Sequence, residues 1–327
     1  MIKVFLRTSA GGTLGWGNLH RILILYDYFK KNSSFYPYLF IEGNKDVYNF
    51  LKKQKIAHIK INNLSLREEE TKIKKFGIAD ISFLEVLNPK LSLQKIYKFN
   101  SKKFVILDDI LKNEYISEIV FCCQKNNRFL KKNLNQKIYN DYKFFPVNKN
   151  FNSFLKKKKK INKEISKVVV FLGGGNYLNT NLKIAKILKN MNLKVDFLIG
   201  SEGSNKAKMN FEKLDKNFRV FINSNKIPKK IFRSDLVICG GGYTKIETAY
   251  LKTPLICLCV QKHQNNLAQN FKAKFGVEII KFKKNSYTGL KKLVMKQNYK
   301  NRKKINNKFS RYFSINGLER IVEKTIY

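Results

Sequence analysis

The chain has 327 residues, 43% of them hydrophobic and 13% aromatic, which suits two domains with a core each and excludes an intrinsically disordered chain. The 66 Lys and Arg residues outnumber the 23 Asp and Glu residues, giving a formal net charge of +43. Such a charge attracts nucleic acid, anionic lipid or phosphorylated substrates. Because the basic residues are mostly Lys, are spread along the whole chain and accompany no nucleic-acid-binding motif, we expect nucleic acid not to be a partner. Peripheral contact with an anionic membrane stays open.

No apolar run is long enough to span a bilayer, and the N-terminus has the pattern of a strand rather than of a signal peptide. We therefore expect a cytoplasmic protein. The five cysteines lie mostly in apolar runs, and neither they nor the three scattered histidines are spaced like a disulfide framework or a zinc site. We expect no metal and no cofactor, and the oligomeric state stays open.

In the first half of the chain, short β-branched runs alternate with amphipathic stretches. The predicted strands are residues 2–7, 38–41, 57–61, 81–85, 104–107 and 119–122. Predicted helices lie between them, the shorter ones at residues 46–53 and 91–97. This alternation predicts a parallel sheet covered on both faces by helices.

The alternation of strands and helices starts again at Lys167, after a polar segment with a lysine run at residues 156–160. The predicted strands here are residues 168–172, 195–199, 218–222, 235–239 and 255–260. We predict an N-terminal domain at residues 1–150, a linker at 151–166, a nucleotide-binding domain at 167–285 and basic C-terminal helices at 286–327. Two α/β domains of one architecture predict a ligand cleft between them.

Three glycine-rich turns, at residues 11–17, 173–175 and 240–242, each follow a predicted strand and precede a predicted helix. Backbone without Cβ atoms can approach an anion closely, and open parallel sheets bind ligands at the carboxyl ends of their strands. Glycine also serves tight turns and close packing, but its recurrence at equivalent places favours ligand binding. Glu247, one turn into the helix after the third cluster, suits a ribose diol, which indicates a nucleotide or nucleotide-sugar ligand.

Two segments carry a family resemblance: residues 14–21 (LGWGNLHR) and residues 240–247 (GGGYTKIE), the latter followed by residues 264–268 (QNNLA). They resemble the GT-B nucleotide-sugar enzymes, specifically the UDP-2,4-diacetamido-2,4,6-trideoxy-altropyranose hydrolases of pseudaminic acid biosynthesis. The lipid II-forming N-acetylglucosaminyltransferases and other family 28 glycosyltransferases are similar by the same motifs. The resemblance implies two Rossmann-like domains facing a cleft, and an enzyme that binds a UDP-sugar and cleaves its anomeric C–O bond.

The resemblance also implies which residues form the site. Substrate and nucleotide contacts would come from Arg7, Gly15, Gly17, Arg21, Gly173, Gly174, Gly175, Gly241, Gly242, Tyr243, Thr244, Glu247 and Gln264. The hydrolases carry a histidine, thought to act as general base, where this chain has Asn18, and an amide cannot take up a proton at neutral pH. The candidate catalytic residues are therefore Asn18, His20 and Asp109.

Each of these candidates also has an ordinary structural interpretation. Asn18 is a typical helix N-cap, His20 suits a core position, and Asp109 suits a turn cap. Arg7 and Arg21 suit structural ion pairs. A UDP-sugar hydrolase matches the N-terminal pattern best, whereas a glycosyltransferase acting on a polysaccharide or lipid-linked acceptor would lose less from the missing histidine. A catalytically silent sugar-nucleotide binder is a further alternative.

Overall fold

The computed structural model describes residues 1–12, 16–111, 114–125, 135–175, 177–200, 210–224, 226–283 and 287–326. The chain forms two compact units. Unit 1 comprises Met1–Val147 and Asn316–Tyr327, and unit 2 comprises Asn148–Ile315. Within the described ranges, no helix is long and apolar enough to cross a membrane.

Unit 1 is built on a seven-stranded sheet in which all paired strands are parallel. Its strands are β1 (Ile2–Ala10), β2 (Phe35–Gly43), β3 (Ile59–Lys60), β4 (Ala79–Glu85), β5 (Ser101–Leu107), β6 (Ile119–Cys122) and β7 (Lys137–Asn140). They lie in the order β3-β2-β1-β4-β5-β6-β7. Its helices are α1 (Gly17–Lys31), α2 (Lys45–Lys53), α3 (Leu66–Lys74), α4 (Leu91–Phe99) and, at the end of the chain, α12 (Gly317–Ile326).

Unit 2 is built on a six-stranded parallel sheet in the order β10-β9-β8-β11-β12-β13. Its strands are β8 (Lys167–Phe171), β9 (Lys194–Ile199), β10 (Phe218–Ile222), β11 (Leu236–Gly240), β12 (Leu255–Leu258) and β13 (Glu278–Ile280). The described helices are α5 (Lys149–Leu155), α6 (Leu178–Leu188), α7 (Ile227–Phe232), α8 (Thr244–Tyr250), α9 (Gln264–Phe275), α10 (Leu290–Met295) and α11 (Tyr299–Tyr312).

The central strands of both sheets are almost wholly apolar because helices cover both of their faces. Val168 and Val170 of β8, and Leu236 and Ile238 of β11, have no solvent exposure. In each sheet the strand order reverses beside the first strand, between β1 and β4 in unit 1 and between β8 and β11 in unit 2. Loops at the carboxyl ends of these central strands therefore border the crevice where open α/β sheets bind ligands.

The two units divide the C-terminal segment between them, so the helices at 286–327 do not form one group. Helices α10 and α11 belong to unit 2, whereas α12 belongs to unit 1. A Cβ atom on Gly317 would lie 2.2 Å from the carbonyl oxygen of Phe145, so only glycine allows α12 to pack this closely. The amphipathic pattern of each helix predicts a buried face but does not specify which unit that face contacts.

Candidate active site

In unit 2, the carboxyl ends of β8 and β11 bring two glycine turns together. Gly173 follows β8 and has a φ of 110°, a conformation that favours glycine. A Cβ atom on Gly173 would lie 3.5 Å from Oγ1 of Thr244, the first residue of α8. The two glycine turns, far apart in sequence, thus line one edge of the sheet.

The loop after β12 completes this group of residues. The backbone N–H of Val260 donates to Oε1 of Gln264, the first residue of α9, at 2.9 Å. A Cβ atom on Gly241 would lie 2.9 Å from Cβ of Gln264, whereas one on Gly242 would lie 3.7 Å from its Nε2. Gln264 therefore packs directly on the glycine turn, and Gly241 has no room for a side chain.

Gly174 and Gly175, in the turn at residues 173–175, differ in how tightly they are enclosed. A Cβ atom on Gly175 would lie 2.8 Å from Cε2 of Tyr177, and one on Gly174 would have no neighbour within 4 Å. Tyr243, at the N-cap position of α8, is partly exposed and accepts backbone hydrogen bonds from Ile246 and Glu247. Gly174 and Tyr243 thus border open space beside the glycine turns.

Lys245 is a residue of this site that we did not predict. Its side chain has no solvent exposure, and Nζ donates to the carbonyl oxygens of Gly241 at 2.7 Å and Gly242 at 2.8 Å. Such bonds are charge-assisted and are stronger than those between neutral groups. In a lysine-rich chain, one more lysine carries no signal that would distinguish it.

Glu247 lies on α8 next to the glycine turn and is only partly exposed. Burial disfavours the charged form of a carboxyl group and raises the pKa of Glu247 to about 7. At neutral pH the side chain is therefore divided between an ionised form, which only accepts hydrogen bonds, and a protonated form.

Gly240 closes β11 against the neighbouring strand, and we expect Gly240→Ala to be strongly destabilising. The added Cβ atom would lie 2.2 Å from the carbonyl oxygen of Leu172, which is backbone and cannot turn aside. The free energy of unfolding should fall by at least ~2 kcal/mol, as measured by urea denaturation. Gly174→Ala is the matched control, because its Cβ atom meets nothing within 4 Å. Equal losses for the two variants would contradict this interpretation.

In unit 1, a buried network joins α1 to the carboxyl ends of β4 and β5. Nη1 of Arg21 lies 2.9 Å from Oδ2 of Asp109, and Nη2 contacts Oε1 of Glu85. Oδ1 of Asp109 also accepts hydrogen bonds from the backbone N–H groups of Cys123, at 2.7 Å, and Gln124, at 3.1 Å. Arg21 thus forms the structural ion pair that was its alternative role, whereas Asp109 is an ion-pair partner and not the turn cap that was its own alternative.

The charge balance of this network is set by burial. Glu85 is 1% exposed, and desolvation raises its pKa to about 8, with the nearby Arg21 charge acting in the opposite direction. At neutral pH, Glu85 is therefore mostly protonated. The charged pair in this network is therefore Arg21 and Asp109, which lie 2.9 Å apart.

Arg7 is buried and pairs with two carboxylates, the buried Glu69 and the half-exposed Glu42. Its Nε donates to Glu69 at 2.9 Å, and its Nη2 donates to Glu42 at 3.0 Å. Nη1 donates to the carbonyl oxygen of Thr8 and to Oγ of Ser9, both at 2.7 Å. These contacts correspond to the structural ion pair that was the alternative to ligand binding, and a contact with substrate stays a prediction.

The first turn of α1 positions the remaining candidates. The helix begins at Gly17 with Trp16 at its N-cap, so Asn18 is the second helical residue and not the cap. His20 is exposed rather than in the core, and its ring centroid lies 6.2 Å from that of Trp16 and 6.1 Å from that of Phe50. Gly15 lies outside the described residues.

All five cysteines lie in the described part of the chain, are buried and are outside any disulfide bond. Among the described residues, no group of His, Cys, Asp and Glu side chains is arranged to hold a metal ion.

The geometry of unit 2 agrees with a comparison against protein families. Residues 168–323 match the glycosyltransferase family 28 C-terminal domain. The family 28 match runs from β8 into α12 and includes both glycine turns, Thr244, Glu247 and Gln264. No curated protein matches the chain.

Solved structures establish the fold of the whole chain. MurG of Acinetobacter baumannii is similar with a TM-score of 0.70, at 12% identity, over 99% of each chain. TcCGT1 in complex with UDP is similar with a TM-score of 0.65, at 11% identity, over 99% of each chain. A UDP-GlcNAc 2-epimerase from Neisseria meningitidis, bound to UDP-GlcNAc, is similar with a TM-score of 0.56, at 12% identity, over 98% of this chain and 99% of its own. The predicted GT-B fold is confirmed, and with the family 28 match these findings support an enzyme.

Proposed function

We propose that the protein is a glycosyltransferase that binds a UDP-sugar through unit 2 and moves the sugar to an acceptor hydroxyl. The observation that carries this proposal is the meeting of the Gly173 and Gly241 turns at the strand-order reversal of unit 2, inside the family 28 match. Similar folds have been solved with UDP and with UDP-GlcNAc, which supports a uridine nucleotide as the donor.

Each part of the donor has a matching group in unit 2. Backbone at Gly173 and Gly242 can approach the diphosphate closely, and the hydroxyl of Thr244 adds a donor beside it. Glu247 suits the ribose diol, and the amide of Gln264 suits sugar hydroxyls. When the anomeric C–O bond breaks, negative charge grows on the UDP leaving group, so these donors favour the transition state as well as binding.

The residue at position 18 distinguishes sugar transfer from hydrolysis. An asparagine can orient a water or a hydroxyl group but cannot remove its proton. Water and an acceptor hydroxyl both need a base, so the missing histidine costs sugar transfer less than hydrolysis only where another group activates the acceptor. The family 28 match of unit 2 supports transfer, and in that reading the acceptor hydroxyl is activated by a group other than Asn18.

The test is an NMR time course that follows anomeric proton and phosphorus signals of UDP-GlcNAc and, separately, of UDP-2,4-diacetamido-2,4,6-trideoxy-altropyranose. Each donor is incubated alone and with polysaccharide or lipid-linked acceptors. We expect donor binding in both cases and UDP release only with an acceptor. UDP release with free sugar in the absence of acceptor would identify a hydrolase, and binding without any turnover would identify a silent binder. Absence of UDP binding would overturn the proposal.

Hydrolysis is the second candidate, favoured by the N-terminal match at residues 14–21. We expect Asn18→His to raise the rate of UDP release without acceptor by at least ~10-fold, because a positioned general base typically contributes more than this. Asn18→Gln, which keeps an amide, is the matched control and should leave that rate unchanged. An unchanged rate in Asn18→His would show that this position does not face the reacting carbon.

A further inference from the structure

Lys245 is buried beneath the third glycine turn and binds two of its carbonyl groups. Nζ lies 2.7 Å from the oxygen of Gly241 and 2.8 Å from the oxygen of Gly242. The side chain has no solvent exposure, whereas Gly242 and Tyr243 are partly exposed. One ammonium group therefore holds two consecutive peptide groups from their buried side.

The geometry of the peptide bond fixes where the other side of these groups points. A trans peptide is planar, and its N–H points opposite to its C=O. The carbonyls of Gly241 and Gly242 share their peptide planes with the N–H groups of Gly242 and Tyr243. With both carbonyls directed at the ammonium, both N–H groups point away from it, toward the partly exposed side of the turn.

The positive charge of Lys245 favours an anion on the same side of the turn as these two N–H groups. Inside a protein the effective dielectric constant is low, so a buried cation exerts its field over a longer distance than a solvated one. The pKa of His263, the residue before α9, is lowered mainly by burial and additionally by the positive charge of Lys245. The field of Lys245 therefore reaches the N-terminal end of α9, where Gln264 lies.

We infer that Lys245 is a positioning residue for the diphosphate: it orients the amides of Gly242 and Tyr243 toward the ligand and adds positive potential behind them. This inference rests on the proposed function, because it names how unit 2 recognises the charged part of a UDP-sugar. In this arrangement Lys245 favours a charged ligand without contacting it. The contribution of Lys245 to binding affinity should therefore increase with the negative charge of the ligand.

The test compares ligands that differ in charge but share the nucleoside. Calorimetric titration of the full-length protein with UDP and with uridine gives both affinities for the wild type and for Lys245→Met. We expect Lys245→Met to lose at least ~10-fold in affinity for UDP and less than ~3-fold for uridine, since hydrogen bonds to a charged diphosphate are roughly twice as strong as those to a neutral group. Lys245→Arg retains the charge and should retain most of the preference for UDP.

Lys252 provides a matched control in the same unit. Its ammonium also binds backbone carbonyls, those of Leu155 and Lys157, but these belong to a different segment of the chain. Lys252→Met therefore removes a comparable buried cation without releasing the glycine turn. The ratio of UDP to uridine affinity should stay at the wild-type value in this variant.

A second measurement does not require ligand. Amide hydrogen exchange should be faster in Lys245→Met than in the wild type at Ile246 and Glu247, whose N–H groups donate to the carbonyl oxygen of Tyr243, because the turn loses its two carbonyl contacts and opens more often. Equal losses of UDP and uridine affinity, or the same ratio change in Lys252→Met, would reduce Lys245 to a structural role and overturn the inference. If the wild type does not bind UDP, the proposed function fails, and unchanged exchange in Lys245→Met would separately overturn the positioning role.

Discussion

Replacement of Arg21 by methionine is expected to lower the free energy of unfolding by about 3–5 kcal/mol at neutral pH. The substitution keeps most of the side-chain volume but removes the cation that contacts both Asp109 and Glu85. Asp109 is 6% exposed and would be left as a buried charge, which is the costly outcome. Urea denaturation monitored by circular dichroism measures the difference, and unchanged stability would show that Arg21 is not the counterion of Asp109.

The matched control is Glu85→Gln, which changes the other carboxyl group of the network. Because the pKa of Glu85 is raised to about 8, the group is mostly protonated at pH 7, and a neutral amide should cost far less than the loss of Arg21. The raised pKa of Glu85 also predicts the direction in which the free energy of unfolding changes with pH. The folded pKa exceeds the ordinary value of 4.5, so this stabilising contribution is complete below about pH 4.5 and is lost as the pH rises through about 8. Glu85→Gln should remove that slope.

Replacement of Glu247 by alanine is expected to weaken UDP binding by about 10- to 100-fold, the range for a hydrogen bond to a charged group. If Glu247 binds the ribose, a 2′-deoxy analogue of UDP should already have lost part of this energy. The substitution should therefore cost the deoxy analogue less than it costs UDP. Calorimetry with both ligands and both proteins forms a double-mutant cycle, and equal losses for the two ligands would contradict the ribose contact.

The same residue should make nucleotide binding depend on pH. Burial raises the pKa of Glu247 to about 7, and the ionised form is the better acceptor for the ribose diol. Affinity should therefore fall as the pH drops through about 7. The phosphate groups of UDP also titrate, but Glu247→Gln binds the same ligand without a titrating side chain. The difference between the two pH profiles isolates Glu247, and identical profiles would exclude it from the site.

Most of the fold follows from the alternation of apolar runs, and the exceptions lie at the sheet edges. The observed bounds of β6 and β10 are those predicted, and the other predicted strands differ mainly at their ends. Strands β7 and β13 were not predicted. Their side chains are half-buried or exposed and their runs are four and three residues long, so neither burial nor length produces a clear apolar pattern.

Part of the site in unit 2 could be predicted from the sequence because the order of strands and turns places the glycine turns. Turns that follow parallel strands share one edge of a sheet, so glycine turns after two central strands are expected to meet. The partner of a buried charge is less predictable. Arg21 and Asp109 are 88 positions apart, and their contact depends on the placement of α1 against β5. The hydrolase specificity suggested by residues 14–21 stays a prediction.

The chain leaves unit 1 after Val147 and returns to it at Asn316. These two residues are hydrogen-bonded to each other. The backbone N–H of Val147 donates to Oδ1 of Asn316 at 3.1 Å, and Nδ2 of Asn316 donates to the carbonyl oxygen of Val147 at 2.9 Å. Residues 148–315 are therefore one continuous insertion whose two attachment points are neighbours. Insertions of this kind can be exchanged as a cassette with little disturbance of the host. Under the proposed function, a gene segment encoding residues 148–315 could therefore be replaced to change the donor while unit 1 stays the same.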